Sequence, residues 1–252
     1  MTEPSATPQS TGQLLLAGIH LFRTGFREVL GILLTQTITI LVLFVVLFSL
    51  TVSLYDSTSA NRFQFDFIAS LILSSLFILA VQLGFIASFT AKFWAHIHNT
   101  QMTTAHAYAV GIRKALPLLI WLLAYVAIVS TGLLLLFVPG LILMVTLFMG
   151  GPLVIQDHYS TLAAIKASHK LVWPSLRQTL LYLVTAALIT TVAYFVTIFP
   201  LGMFIAYLTN HNPMLSGVIS LVRYALIVML APLFVALVIP YYMCLLRRQQ
   251  GK

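Results

Sequence analysis

Polar residues along the chain fall into short clusters that separate long apolar runs. Glu28 and Asp56 enclose 27 residues without a charge, and Asp66 and Lys92 enclose 25. Uncharged runs of 42, 45 and 23 residues follow at 115–156, 178–222 and 224–246. About 20 apolar residues, rising about 1.5 Å each as a helix, cross the hydrocarbon core of a bilayer. The first two runs therefore predict one span each, at about 29–55 and 67–91. The third is long enough for two, at 117–138 and 141–155. The turn between them is expected at Pro139-Gly140, because proline stops a helix and glycine accepts positive φ. The second arm of this pair is short, at about 22 Å. The 45-residue run predicts a span at 179–199, after which Thr209-Asn210-His211-Asn212-Pro213 turns the chain back. A last span is expected at 215–246, bent or broken near Pro232 and Pro240. The predicted fold is all-α: a polytopic membrane bundle of about six transmembrane helices plus amphipathic interfacial helices. It forms one integral domain over 13–252, behind a disordered Pro-, Ser- and Thr-rich tail at 1–12. The tail lacks a basic n-region and cleavage site and is expected to be retained.

Composition narrows the function classes. Apolar residues make up 60% of the chain and charged residues 7%, and the mean hydropathy is +1.03. A soluble domain carries about 25% charged residues to keep its surface wet. The shortfall argues against a cytosolic enzyme, a disulfide scaffold and a free nucleic-acid-binding domain. The formal charge of +8 points to basic loops facing anionic lipid headgroups. The single cysteine, Cys244, cannot form an internal disulfide. Arg23, Arg27, Lys92, Arg113, Lys114, Lys166, Lys170, Arg177, Arg247, Arg248 and Lys252 fall on one side of the predicted spans. Arg62 alone falls on the other, and Arg223 lies inside a span. This positive-inside asymmetry places both termini in the cytoplasm. It also requires 141–155 to cross, since otherwise Lys166, Lys170 and Arg177 would face outward.

Three segments preceding the first, third and fifth spans resemble one another. Ala17, Ala107 and Ala164 correspond, as do Arg23, Arg113 and Lys170, at offsets of 90 and 57 residues. Pro117 matches Pro174. In the first segment Leu15, Ile19, Phe22 and Phe26 share one helical face, opposite His20, Arg23, Thr24 and Arg27. Such a helix is expected in the headgroup plane, with its basic side towards anionic lipid. Arg23, Arg27, Arg113, Lys114, Lys166, Lys170 and Arg177 are the candidate interfacial contacts. Basic amphipathic loop helices are common in polytopic proteins, so a true threefold repeat and a chance alignment both remain open.

Chemistry-bearing residues are sparse. A charge within a span is costly, which makes Arg223 a candidate contact for a lipid phosphate or another anion. The alternative is that it snorkels outward or pairs with helix-end carbonyls. No carboxylate falls in the middle of a predicted span, which weakens the case for a proton- or sodium-coupled transporter. Pro139-Gly140, Gly150-Gly151-Pro152 and Pro200-Leu201-Gly202 read as turns and kinks rather than ion-binding broken helices. His96, His98, His106, His158 and His169 lack the convergent carboxylates or thiolates of a metal centre. Asp157, His158 and Ser160 are neighbours in sequence, which rarely form a catalytic relay, and Ser160 or Thr161 is better suited to capping the next helix. Gln36 and Gln82 fit hydrogen bonding between helices. No phosphate-cradling loop or zinc-protease motif is present.

Val138-Pro139-Gly140, then Pro152-Leu153-Val154-Ile155-Gln156-Asp157, then Ala167-Ser168 and Lys170-Leu171-Val172-Trp173 resemble the YciC-like family of bacterial inner-membrane proteins. The likeness covers about 40 residues, with Pro139, Gly140, Pro152, Gln156, Asp157, Ser168 and Trp173 as its structural signature. The pattern is also similar to membrane domains attached to some glycerophosphodiester phosphodiesterases, whose chemistry belongs to a separate soluble domain. The resemblance implies a multi-pass protein of the bacterial inner membrane and carries over no catalytic residue. The expectation is a non-enzymatic structural or lipid-interacting component of the cell envelope, without a cofactor. Its partners are membrane lipids, chiefly anionic phospholipid, and not nucleic acid. The alternative is a transporter or channel subunit with an anion or headgroup pathway near Arg223.

Overall fold

The computed structural model describes residues 10–57, 63–156, 159–211 and 216–250. Among them the chain is all-α, as the hydropathy pattern predicts. The helices are α1 (Thr11–Ser57), α2 (Phe63–Ile97), α3 (Thr104–Leu135), α4 (Phe137–Leu147), α5 (Gly150–Gln156), α6 (Thr161–Val172), α7 (Leu176–His211) and α8 (Ser216–Gln250). A 3₁₀ turn at Trp173–Ser175 links α6 to α7. Six helical stretches are long and apolar enough to cross a membrane: Thr11–Leu47, Ile68–Ile97, Thr104–Leu135, Phe137–Gln156, Thr161–Thr197 and Leu230–Gln249.

Several boundaries differ from those expected. The chain between the third and fourth stretches turns at Leu136, whose backbone is extended at φ −155° and ψ 120°. Pro139 falls in the first turn of α4, where its missing N–H has no intrahelical partner to lose. Gly140 has no positive φ; its role is close approach. A Cβ there would lie 2.5 Å from the backbone nitrogen of Leu133, so only glycine lets α4 fold back tightly on α3.

The first two basic segments are not separate interfacial helices. Residues 11–27 continue without a break into a 47-residue α1 of about 70 Å. The segment at 104–116 likewise runs on into α3, through Pro117. Residues 11–27 also pack into the bundle: Leu14, Leu15 and Leu21 are buried, and a Cβ on Gly18 would come within 2.8 Å of Leu237 Cα on α8. The corresponding alanines differ accordingly, since Ala107 and Ala164 are buried and Ala17 is exposed.

The start of α1 is a reciprocal cap. Gln13 N donates to Ser10 Oγ at 3.3 Å, and Ser10 N donates to Gln13 Oε1 at 3.0 Å. Residues 10–12 therefore belong to the helix start, and 1–9 lie outside the described residues. At the other end of the bundle, α7 runs through Pro200 to His211, so Thr209, Asn210 and His211 are helical. Residues 212–215 are not described. Helix α8 contains both Pro232 and Pro240 without a break in assignment. The Tyr182 hydroxyl of α7 donates to Leu237 O at 2.6 Å, next to the Ala236 carbonyl that Pro240 deprives of its helical donor.

Helix α2 lies against α3 across Gly84, Ser88 and Gly111, where small side chains bring the two backbones together. Gln36 of α1 donates through Nε2 to Gln82 Oε1 of α2 at 2.6 Å, the interhelical role expected for both residues. Two apolar clusters fill the interior. One gathers Phe89, Phe93, Ile32 and Leu33, and the other gathers Trp121, Met149, Tyr182 and Tyr242.

Candidate functional site

The most unusual backbone lies in the fourth stretch, where α4 ends and α5 begins three residues later, at Gly150-Gly151. The last four carbonyls of a helix have no intrahelical donor and must find one elsewhere. Side chains from the neighbours supply several. Ser168, fully buried on α6, donates to Thr146 O at 2.7 Å, and the Tyr125 hydroxyl of α3 donates to Met144 O at 3.1 Å. At the end of α5, Lys114 Nζ donates to Val154 O at 2.6 Å. A cation at a helix C-terminus also faces the negative end of the helix dipole. The broken arm is thereby tied to α3 and α6 by three donors.

This geometry divides the predicted basic contacts. Arg23, Arg27, Arg113, Lys166, Lys170 and Arg177 are exposed. Lys114, only 8% exposed, turns inward to α5 instead of outward to lipid. Lys92 behaves similarly, donating to Met102 O at 2.5 Å. His96 Nδ1 of α2 lies 2.9 Å from Glu28 Oε1 of α1, an ion pair when the imidazole is protonated. His98 Nδ1 lies 2.9 Å from Trp94 O. No group of three or more metal-ligand residues converges among the described residues.

Five of the signature residues lie in or against the broken arm, with Ser168 bonded to it. Pro139 and Gly140 open α4, Pro152 lies in α5, and Gln156 ends it. Trp173 is exposed, with its ring 5.0 Å from that of His169. Asp157 and His158 lie outside the described residues, as does the side chain of Arg223 on α8. Ser160 occupies the N-cap of α6 with extended backbone but makes no side-chain capping bond. Thr161 Oγ1 instead donates to Pro117 O at 3.4 Å. Gln156 has both amide atoms buried without a hydrogen-bond partner. An unsatisfied buried polar group costs about 1–3 kcal/mol. Gln156→Leu is therefore expected to raise stability by about 1 kcal/mol, read as a higher unfolding midpoint in detergent. A clear loss of stability would show that the amide is needed.

Between α3, α4 and α6 an open groove of about 360 Å³ is lined by Ile128, Leu143, Leu147, Ile165, Lys166 and His169. Its walls are apolar, and its two polar side chains are consecutive along one face of α6. No family model, curated protein or solved structure matches the chain.

The groove was not foreseen, since Ile128, Leu143 and Leu147 look in sequence like ordinary span residues. The α2–α3 contact did carry a signal: Gly84 and Ser88 are four residues apart, as are Ala107, Gly111 and Ala115.

Proposed function

We propose that this multi-pass membrane protein is a non-enzymatic, lipid-interacting component of a bacterial inner membrane, related to the YciC-like family, with both termini cytoplasmic. The observation that carries this reading is the state of its cations. Arg23, Arg27, Arg113, Lys166, Lys170 and Arg177 are exposed, and none has an ion-pair partner among the described residues. Cations at the rim of an apolar bundle complement anionic headgroups, at roughly 1 kcal/mol each. The relation to the YciC-like family rests on the sequence signature, whose Pro139, Gly140 and Pro152 fall in α4 and α5 and whose Ser168 bonds to Thr146.

The test replaces Arg23, Arg27, Lys166 and Lys170 together by glutamine and compares retention of phosphatidylglycerol by native mass spectrometry. At least a tenfold loss relative to wild type is expected. Unchanged retention would overturn the reading. So would a solute flux in proteoliposomes that disappears in Arg223→Leu with the fold intact, which would favour transport. Topology is tested separately with reporter fusions. A cytoplasm-dependent reporter is expected to be active at Lys252 and silent within 209–213; the opposite pattern would reverse the orientation.

A further inference from the structure

We propose that the groove between α3, α4 and α6 is a binding site for a single anionic phospholipid. Its acyl chain would run along Ile128, Leu143, Leu147 and Ile165, and its phosphate would sit on Lys166 and His169. This deepens the lipid-interacting reading above and rests on it.

The shape of the groove favours a lipid over a soluble anion. Helices α3 and α4–α5 are antiparallel, with Lys114 beside Val154, Tyr125 beside Met144, and Gly132 beside Gly140. Ile128 lies fourteen residues beyond Lys114 along α3, a rise of about 21 Å. The wall at Ile128 and Leu143 therefore lies deep in the span. Lys166 and His169 belong to α6, whose first residue reaches Pro117 near the loop end of α3. A channel that is apolar at depth and has Lys166 at its edge, within one turn of the Ser168 bond to Thr146, matches the order of groups in a phospholipid. A phosphate ion would leave the apolar wall unused.

The charge arrangement is also specific. Lys166 and His169 are three residues apart on a helix, so both project to the same side. Both are exposed, and neither lies within ion-pair distance of a carboxylate among the described residues. The Trp173 ring lies 5.0 Å from the His169 ring, tilted against it. The floor is rigid, because Ser168, on the buried side of the same helix, is bonded to Thr146 next to Leu147. The site is thus anchored from behind by Ser168 and has Lys166 and His169 at its edge.

The experiment uses the full chain in detergent, exchanged with phosphatidylglycerol or phosphatidylcholine and read by native mass spectrometry. Wild type is expected to keep one phosphatidylglycerol through activation that strips phosphatidylcholine. Lys166→Gln with His169→Gln is expected to lower that retention at least fivefold. Ile128→Trp fills the deep wall without touching Lys166 or His169 and is expected to lower it comparably. A loss in the glutamine pair alone would reduce the groove to a basic patch and overturn the proposal. Loss only in Arg23→Gln with Arg27→Gln would overturn the groove and leave the general lipid reading standing. No preference for phosphatidylglycerol in wild type would overturn both. A photoactivatable acyl chain gives an independent readout that does not depend on variant folding. Its adducts are expected on the four apolar wall residues, and adducts confined to other helices would reject the site.

Discussion

Gly111→Ala is expected to destabilise the protein by about 2 kcal/mol, while Gly84→Ala, across the same helix crossing, should be neutral or mildly stabilising. Two effects compete at each position. Alanine gains about 1 kcal/mol over glycine in a helix interior, because it loses less backbone freedom on folding. Against that stands the space for one methyl group. At Gly84 the nearest atom to a new Cβ is Gly111 O at 3.4 Å, an ordinary contact, so the helix gain prevails. At Gly111 the new Cβ would overlap Ser88 Oγ and the Gly84 carbonyl. Ser88 can rotate away, but the carbonyl is backbone, so α2 and α3 must part. Overpacking of this kind costs about 1–3 kcal/mol or more and outweighs the gain. Unfolding of both variants in the same detergent is the check. Equal midpoints would mean that the two helices do not touch at this crossing.

The asymmetry shows what could be read from sequence. Span number and fold class are legible because lipid excludes charge, but span limits are not: the helical stretches run on past Glu28 and Lys92. Interhelical packing was only partly legible. The four-residue spacing of Gly84 and Ser88 marks a close crossing, but not which glycine meets a backbone atom. The turn before α4 was misplaced by three residues for a related reason. Proline and glycine together read as a turn, yet proline is equally at home in the first turn of a helix, and glycine where two helices touch. Leu136, which makes the turn, has no local property that marks it. The amphipathic face of the N-terminal basic segment predicts an interfacial helix. Part of that face is covered instead by α2 and α8, burying Leu15 and half-burying Phe22 and Phe26 while Ile19 stays exposed; neither helix can be inferred from periodicity within α1.

Lys114→Met is expected to cost about 2 kcal/mol of stability, whereas Arg113→Gln should change it by less than about 0.5 kcal/mol. Sequence offers no means of separating these neighbours. Consecutive helical residues differ by about 100° in direction, and only the position of α5 decides which one faces the interior. Lys114 donates to Val154 O at the end of α5, and methionine fills similar space without a donor. The carbonyl then loses a charge-assisted bond of about 1.5–3 kcal/mol and the favourable dipole contact. Relief from burying a cation offsets part of that loss. Arg113 is exposed and without an ion-pair partner, so its removal disturbs little in the folded chain. Because Ser168 still fixes Thr146, α4 and the groove floor should survive in Lys114→Met. That variant is therefore expected to unfold earlier yet retain phosphatidylglycerol normally under native conditions. Lys166→Gln should do the reverse, losing lipid without losing stability. Parallel loss of both properties in both variants would mean that bound lipid itself holds the bundle together, and that the division between a structural and a lipid-binding lysine is wrong.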